Sequence, residues 1–419
     1  MMPFQPADIA SFGARAERML SELASVSEQP QSLVRLFLTP EHRKAADLVG
    51  RWMREAGMSV SEDALGTVRG HWRPDKKKRF LIGSHIDTVI DAGKYDGPMG
   101  VVLGILAVEA LHKAGTDLPF GIDVLAFGDE EGSRFRATLT SSSACAGAFD
   151  FAALGATDNH NITLADALAA YGKDVADIPG AAYDSANVIG YIEAHIEQGP
   201  VLEAEDLPLG VVTGIVGQSR MRVMVLGEAR HAGTVPMSMR RDALAGAAEL
   251  ILAVERTARE NAADRMVATV GRIEAFPGAT NVIPGRVGFS LELRSSTDAL
   301  RLAAIERIRN EAKRIAGDRK LDIVFEPFYE TQTTACAPAF QGLLAEAIAA
   351  LGRRTISLPS GAGHDAQVMA KLCPSAMLFV RCRGGISHNP AEFASESDMG
   401  LATATLIEFI RRLAGQHLS

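Results

Sequence analysis

Hydrophobic and polar positions follow two different periods along this chain, which predict helices in some stretches and strands in others. Apolar residues recur at a helical spacing in Ala7–Ala24, which predicts an amphipathic surface helix. Pro40–Ala56 is predicted to be a second helix because it opens on proline and is followed by glycine. Arg79–Ile82 is strand-like, and Ile122–Phe127 is an apolar run typical of a strand buried on both faces. The alternation of predicted helices and predicted strands along the chain indicates an open α/β sheet.

The pattern changes from about Ile215 onward, where strands that alternate apolar and polar residues are separated by two long helical stretches. Their order is β-α-β-β-α-β, which is that of the ferredoxin-like motif. The predicted strands are Arg220–Leu226, Met266–Ile273, Val287–Arg294 and Leu321–Phe325, and the predicted helices are Asp242–Ala263 and Thr297–Ala316.

The length of the chain also favours two domains. It has 419 residues, which exceeds the roughly 250–300 at which a single core stops growing. We therefore predict one domain made of residues 1–213 and 330–419, interrupted by an inserted ferredoxin-like α+β domain of residues 214–329.

Composition and charge exclude several classes of function. The net charge is −8, from 43 basic and 51 acidic residues, which argues against nucleic acid or an anionic membrane as a partner. No apolar run reaches the roughly 18 residues of a membrane span, and the first residues do not resemble a secretion signal. The four cysteines show no paired metal-binding spacing and are expected to be reduced, buried thiols. These features predict a cytoplasmic globular protein.

Polar side chains that suit metal ions follow several of the predicted strands. His85 ends the first buried strand, Asp96 lies in the next loop, and Glu130 and Glu131 follow Ile122–Phe127. In an open α/β sheet, sites gather at the carboxyl ends of strands, so we expect these side chains to converge at one sheet edge. Imidazole and carboxylate groups are ligands for divalent cations, and one carboxylate can bridge two ions about 3.5–4 Å apart. The sequence therefore predicts a metal site that could hold two ions.

Each of these clusters has a plainer interpretation when it is taken alone. Asp96 could be an N-cap or turn aspartate, and adjacent acids such as Glu130 and Glu131 occur in solvated surface turns. His195 and His388 each follow a predicted strand and precede a turn, but a single histidine is most often structural. The prediction of a metal site is stronger than any single cluster allows, because several such clusters follow predicted strands.

Asp87 stands two residues after His85, and on a regular strand the two side chains would face opposite sides. A turn at the strand end removes this restriction. Asp87 could then bond the ring of His85, which is a common way of orienting a metal-binding histidine. The plainer alternative is a pair of residues that only fixes the turn.

The full set of motifs resembles the dinuclear M20-type metallopeptidase superfamily, and more closely its ureido-acid amidohydrolase branch. That branch comprises N-carbamoyl-L-amino-acid hydrolases, allantoate amidohydrolases and β-ureidopropionases. In the peptidase branch the bridging aspartate is usually followed by a Met-Lys-Gly type of sequence, whereas here Gly97–Gly100 is Gly-Pro-Met-Gly, which favours the ureido branch. The matching strings run in consistent order over most of the chain: Gly83–Val89, Tyr95–Gly97, Glu130–Phe135, His195–Pro200, Ile215–Gln218, His231–Thr234, Arg241–Asp242, Asn281–Gly285, Ser360–Asp365 and Gly385–Glu392.

The resemblance implies five metal ligands. His85 and His195 would bind one ion together with Asp96, while Glu131 and His388 would bind the other, with Asp96 bridging the pair. The expected cofactors are two divalent ions. The sequence leaves Zn, Mn, Co and Ni open, because imidazole and carboxylate ligands suit all four.

The resemblance also implies two catalytic groups. Glu130 would be the general base that takes a proton from water. His231 would stabilise the developing oxyanion and would reach the site from the partner subunit, which implies a homodimer. The plainer alternative for His231 is a loop bend.

The substrate contacts implied by the resemblance lie on both predicted domains. Arg294 would clamp a substrate carboxylate by a bidentate pair, and Asn281 and Gln198 would contribute amide hydrogen bonds. Without the resemblance, Arg294 could be an ordinary strand residue and Asn281 part of a turn. Gln218, Gly361 and His364 lie in strings that resemble the family and are further candidates for substrate contacts.

These features predict a mixed-sheet, metallopeptidase-like catalytic domain with an inserted lid and dimerisation domain, acting as an amidohydrolase on a small ureido acid. The substrate stays open between an N-carbamoyl-L-amino acid and allantoate, and Ser219 stands where relatives often have a basic or bulky residue. One alternative is an aminopeptidase or dipeptidase with the same fold and metals. Another is a non-enzymatic binding protein, which the complete ligand set disfavours. The loops near residues 213 and 329 predict a hinge between open and closed forms.

Overall fold

The computed structural model describes residues 4–417 and divides into two compact units. One unit joins the chain up to Thr213 to the chain from Cys336 onward, and the other is Gly214–Ala335. The strand that contains residue 329, the predicted end of the inserted domain, continues to Thr331, and the second unit extends to Ala335. Among the described residues, no helix is both long and apolar enough to cross a membrane.

Helices and strands alternate along both units, as the hydrophobic pattern predicts. The helices are α1 (Pro6–Ala24), α2 (Pro40–Glu55), α3 (Pro98–Lys113), α4 (Thr140–Cys145), α5 (Leu164–Ala170), α6 (Val201–Ala204), α7 (Ala243–Glu260), α8 (Asp298–Arg319), α9 (Pro338–Ala350), α10 (Asp365–Met369) and α11 (Glu396–His417). The strands are β1 (Ser59–Glu62), β2 (Val68–Trp72), β3 (Arg79–His85), β4 (Gly121–Phe127), β5 (Val188–Ile196), β6 (Leu209–Ile215), β7 (Gly217–Leu226), β8 (Arg230–His231), β9 (Val267–Thr269), β10 (Ile273–Phe276), β11 (Val282–Ile283), β12 (Arg286–Ser295), β13 (Asp322–Thr331), β14 (Thr334–Ala335), β15 (Ile356–Ser360) and β16 (Ser375–Val380).

The large sheet is mixed and has the order β1-β2-β4-β3-β5-β16-β6-β14, with β15 paired to β6. Its centre is parallel, because β3 runs parallel to β4 and β5, and β5 runs parallel to β16. The flanking pairs are antiparallel. Strand β4 is buried along its whole length, as expected of a strand covered on both faces. The predicted α/β mixed-sheet fold is confirmed.

The core of the first unit includes residues of α1, α3, α9 and α11. Helix α3 is apolar almost all round, which is typical of a buried helix. Helix α11 is not predicted by the sequence pattern, and neither is any element in the Ala/Ser-rich stretch after Phe135. That stretch forms only short helices such as α4 and α5, whose length is too small for a clear period.

The second unit has a five-stranded sheet in the order β10-β12-β7-β13, with β9 also paired to β12, and all of its pairs are antiparallel. Helices α7 and α8 contribute to its core with β7 and β12, which confirms the ferredoxin-like arrangement. The single strand predicted at Met266–Ile273 is wrong. It breaks into β9 and β10, because residues 270–272 lie opposite only Ser290 and Leu291 of β12; within this bulge, Arg272 N donates a hydrogen bond to the Ser290 hydroxyl.

Candidate metal centre

Three neighbouring strands of the first unit end at the same edge of the large sheet. Because β3 is parallel to both β4 and β5, their carboxyl ends lie side by side. His85 is the last residue of β3, His195 is next to last in β5, and Glu130 and Glu131 follow β4. Both histidines are buried. The structure therefore brings together these side chains, which the sequence predicts at this edge.

Asp96 lies at the centre of this group, in the loop between β3 and α3. Its Oδ1 is 3.0 Å from His195 Nε2 and 3.9 Å from His85 Nε2. Its Oδ2 is 3.3 Å from His388 Nε2 and accepts a hydrogen bond of 2.9 Å from Gln198 Nε2. The two oxygens of one carboxylate thus face two different sets of donors.

The second set is completed by Glu131, whose Oε2 is 3.5 Å from His388 Nε2. Within each set the potential ligand atoms lie within 4.8 Å of one another. Imidazole nitrogens and carboxylate oxygens are the donors that divalent first-row ions take, and two sets sharing one carboxylate fit a pair of ions. The two sets are His85, Asp96 and His195, and Asp96, Glu131 and His388.

The local sequence explains how Asp96 and His85 come so close. Gly97 has a φ of 83°, a conformation that favours glycine. A Cβ atom at this position would lie only 2.3 Å from Cε1 of the His85 ring. Helix α3 then begins at Pro98, whose fixed φ suits the first helical position. Only glycine lets the aspartate loop turn against the histidine in this way.

Asp87 links His85 to the acid pair that follows β4. Its Oδ1 is 3.3 Å from His85 Nδ1. Its two oxygens also accept hydrogen bonds of 3.2 Å from the backbone N–H groups of Glu130 and Glu131. Asp87 therefore does more than fix a turn: it orients the ring of His85 with Nε2 toward Asp96 and holds the two glutamates beside it.

Burial and neighbouring charges shift the pKa values of this cluster. Burial raises the pKa of Glu131 to about 7 and that of Glu130 well above its ordinary value. The hydrogen bond with Asp96 raises the pKa of His388 to about 9. Burial would also raise the pKa of Asp96, but hydrogen bonds with His195 and His388 hold it well below its ordinary value. The acids and imidazoles thus share protons that a cation would displace.

His231 and Asn281 lie together in the second unit, on the short ribbon formed by β8 and β11. His231 pairs with Val282, and Ala232 N donates a hydrogen bond of 2.9 Å to Asn281 O. Both side chains are exposed. His231 Nδ1 accepts a hydrogen bond of 3.0 Å from Gly233 N, so in the neutral ring the hydrogen sits on Nε2. His231 is therefore arranged as a donor at its outer edge.

Gln218 and Arg294 form a second group in that unit, as register partners on β7 and β12. Arg294 donates to Glu292 Oε1 from Nε at 2.9 Å and from Nη2 at 2.6 Å. With its amide oxygen turned toward the guanidinium, Gln218 accepts from Arg294 Nη1 at 2.8 Å. Arg301 is buried and donates to the Ser219 hydroxyl, which fixes β7 beside Gln218. Arg294 is thus held in place rather than loose on the strand.

Gly361 and His364 lie in the first unit, on the loop between β15 and α10. His364 is buried, and its Nε2 is 2.7 Å from Ser360 Oγ. Its ring makes an edge contact with His195 at a centroid separation of 4.5 Å, and burial lowers its pKa well below the ordinary value. His364 therefore supports His195 as a neutral ring, while Gly361 is exposed. Their contact with a substrate stays a prediction.

Sequence analysis missed two buried charged residues that hold the site. Arg35 donates to Ile86 O at 2.6 Å and fixes the chain just after β3. Glu392 accepts hydrogen bonds from the backbone of the Asp96 loop. Arg35 could have been found as the one charged residue in the apolar stretch Leu33–Phe37. Glu392 could have been found because it ends the string Gly385–Glu392, which resembles the family.

The family described as Peptidase family M20/M25/M40 matches residues 81–412. This stretch contains every metal-site candidate and most of the chain. The chain belongs to this family. The resemblance to the M20 family drawn from the motifs is thus confirmed, and one solved structure of the same fold is described as a dinuclear metal binding peptidase from that family.

Among M20 relatives, the chain is similar to an allantoate deiminase of Arabidopsis thaliana, with 41% identity over 93% of this chain and 80% of the relative. It is also similar to an N-carbamoyl-L-amino acid amidohydrolase of Geobacillus stearothermophilus, with 40% identity over 96% of this chain and 98% of the relative. A solved amidase of the hydantoinase/carbamoylase family from Burkholderia multivorans aligns with a TM-score of 0.89 and 34% identity, over 96% of this chain and 98% of that chain. These relatives support an amidohydrolase over an aminopeptidase.

Proposed function

We propose that this protein is a dinuclear metal-dependent amidohydrolase that cleaves the carbamoyl C–N bond of an N-carbamoyl-L-amino acid or of allantoate. The observation that carries the proposal is the Asp96 carboxylate, whose two oxygens face separate sets of imidazole and carboxylate donors. The names of the relatives add the class of substrate.

The two donor sets would hold two divalent cations, with Zn, Mn, Co and Ni all compatible with the donors. When bound, the ions supply positive charge that lowers the pKa of water from about 15.7 toward 7. That charge also offsets the group of buried acids, which are costly to keep ionised in the protein interior. The ligands would be His85, Asp96, Glu131, His195 and His388.

Glu130 is the proposed general base. Its side chain is 14% exposed, its Oε2 is 4.0 Å from His85 Nε2, and burial raises its pKa well above the ordinary value, which favours uptake of a proton. Glu130 accepts a proton from the attacking water and delivers it to the leaving nitrogen. The carbon of the ureido group forms a bond to the water oxygen and loses its bond to that nitrogen, which releases the amine. The remaining carbamate gives CO2 and ammonia.

His231 is the proposed oxyanion donor, acting from the partner subunit of a homodimer. Its exposure and its outward Nε2–H support this role, since a donor that acts on another subunit must be exposed on the surface of its own subunit. Asn281 lies on the same ribbon and would contribute an amide hydrogen bond. The homodimer is part of the proposal.

Arg294 is the proposed clamp for the substrate carboxylate. A guanidinium presents paired N–H groups that match a carboxylate, and Arg294 already binds one in Glu292. Gln218 on the adjacent strand keeps the guanidinium in position. Gln198, which contacts Asp96, and the loop of Gly361 would complete the substrate site.

The test is ammonia release from a panel of substrates after reconstitution with each of the four metals. We expect ammonia from allantoate or from at least one N-carbamoyl-L-amino acid. We expect no amino acid release from dipeptides assayed in parallel. Hydrolysis of dipeptides together with inactivity on every ureido acid would establish the aminopeptidase alternative instead.

A further inference from the structure

Glu392 is a buried acid at the end of the segment that carries His388, and the proposed mechanism gives it no part. Its side chain is only 5% exposed. Its Oε1 accepts two hydrogen bonds from successive backbone N–H groups, from Tyr95 at 2.8 Å and from Asp96 at 3.0 Å. Glu392 thus joins two segments that lie almost 300 residues apart in the chain.

The two segments pack tightly against each other around Glu392. Gly93 packs against Glu392 so closely that a Cβ atom at residue 93 would lie 2.4 Å from Glu392 Cβ. On the other side, Glu392 N donates to Asn389 O at 3.0 Å, and Ala391 N donates to Asn389 Oδ1 at 2.9 Å. The turn that follows His388 is therefore closed by its own hydrogen bonds and anchored to the loop before Asp96.

The two donor sets depend on this anchor to different degrees. In the first set, His85 and His195 belong to the paired strands β3 and β5, which fix their positions without Glu392. In the second set, His388 lies on an irregular segment with a φ of 54°, and it reaches Asp96 across 3.3 Å. Losing the anchor should therefore disturb the second set more than the first.

We propose that Glu392 is a positioning residue that fixes the His388 segment against the Asp96 loop and so closes the second metal site before an ion binds. It acts through the hydrogen bonds that its Oε1 accepts from the backbone N–H groups of Tyr95 and Asp96. This inference rests on the proposed function for the two-metal assignment. It adds that the two sites differ in how they are held, so that one can be weakened without the other.

The experiment compares Glu392→Met, which removes the acceptor, with Glu392→Gln, which keeps one carbonyl oxygen in a side chain of similar size. Metal content after dialysis and the dissociation constant of each ion are measured by isothermal titration with Mn and with Zn. We expect two ions in the original protein. In Glu392→Met we expect one ion to bind as before and the other to bind about 10–100 times more weakly, as is usual when a residue that supports a ligand is lost. Glu392→Gln should bind both ions within a few-fold of the original protein.

A matched control is Asp63→Leu. The side chain of Asp63 is also 5% exposed, lies in the same unit and accepts from two backbone N–H groups, of Leu65 at 2.8 Å and Thr67 at 3.0 Å, but it lies in the turn between β1 and β2, away from the proposed ligands. It should bind two ions normally. Circular dichroism and thermal unfolding of the metal-free proteins verify that each variant is folded.

Three results would overturn the proposal: unchanged binding of both ions by Glu392→Met, equal weakening of both ions, or a loss in Glu392→Gln as large as that in Glu392→Met. Failure of the proposed function gives a different result. If the original protein binds two ions and Glu392→Met selectively loses one, the positioning role stands even when no ureido acid is hydrolysed.

Discussion

The two units of the chain present their candidate functional residues in opposite ways. In the first unit, His85 and His195 are buried at 1% exposure and lie within 4 Å of the shared carboxylate of Asp96. In the second unit, His231 and Asn281 are exposed on a two-stranded ribbon. The candidate metal ligands of the first unit are thus mostly buried, whereas His231 and Asn281 of the second unit are accessible to solvent.

The difference follows from what each unit is proposed to bind. A metal site needs several ligands held at fixed positions, which strand ends and a network such as that of Asp87 provide. A substrate must enter and leave, so groups that contact it cannot all be sealed inside. Arg294 lies between these extremes, because Glu292 and Gln218 hold it while a quarter of its side chain stays exposed.

The largest effect is expected for Asp96→Asn, which removes charge from both donor sets at once. Metal content should fall from two ions to fewer than one. Activity should fall by about 10⁴-fold or more, because bound metal supplies several kcal/mol of transition-state stabilisation. Elemental analysis and ammonia release are the measurements. Asp91→Asn is the control in the same loop, since Asp91 is exposed and its φ of 59° suits asparagine. Retention of two ions by Asp96→Asn would remove the bridging role.

Glu130→Gln should bind two ions normally while kcat falls by about 10³-fold, since a general base contributes roughly 10²–10⁴. The same preparation is analysed for metal content and for turnover, so that loss of metal cannot be mistaken for loss of the base. Turnover near that of the original protein would refute the assignment of Glu130.

His231→Ala should keep both ions and lose about 10²–10³-fold in kcat, as is usual when one oxyanion donor is removed. If His231 acts on the partner subunit, mixing His231→Ala with Glu130→Gln under conditions of subunit exchange restores one intact site in each mixed dimer. About a quarter of the original activity should return, because half of the dimers are mixed. His160→Ala, another exposed histidine, is the control. No recovery in proven mixed dimers would place His231 in its own subunit's site or in none.

Arg294→Ala should lower kcat/KM by about 10–100-fold for substrates that carry a carboxylate, since hydrogen bonds to charged groups contribute about 1.5–3 kcal/mol. Neutral ureas should be hydrolysed as slowly as before. Arg272 makes a similar pair with Glu274 two residues away on the same sheet, so Arg272→Ala is the matched control. An equal loss for charged and neutral substrates would contradict the clamp.

The most gradual effect is a dependence of metal affinity on pH, which involves only residues of the first unit. Hydrogen bonding to Asp96 raises the pKa of His388 to about 9, and burial raises that of Glu131 to about 7. Both must lose a proton to bind an ion, so protons compete with metal and affinity should rise with pH. We expect about a tenfold gain per pH unit for each proton released, which titration calorimetry can follow. The slope should be the same in His231→Ala. A flat profile would show that these groups are not ligands.

Much of the site was predictable because its residues fall at positions that the chain order itself marks. His85, Glu130 and His195 follow or end apolar runs, and the parallel arrangement of those strands makes their ends converge. The ferredoxin-like unit was predictable for a similar reason, since its periods of two and of 3.6 residues alternate clearly. The break between β9 and β10 was not, because it depends on a shift in register against the neighbouring strand β12.

The sequence by itself determined the fold class, the family and the identity of the residues that can hold ions, because these depend on local periodicity and on short motifs. Only the tertiary structure decided how those residues are held: that Asp87 accepts from the backbone of Glu130 and Glu131, that Glu392 bridges two distant segments, and that Gln218 accepts from Arg294. Such contacts join residues whose separation in the chain carries no signal, since hydrogen bonds form wherever packing brings a donor and an acceptor together.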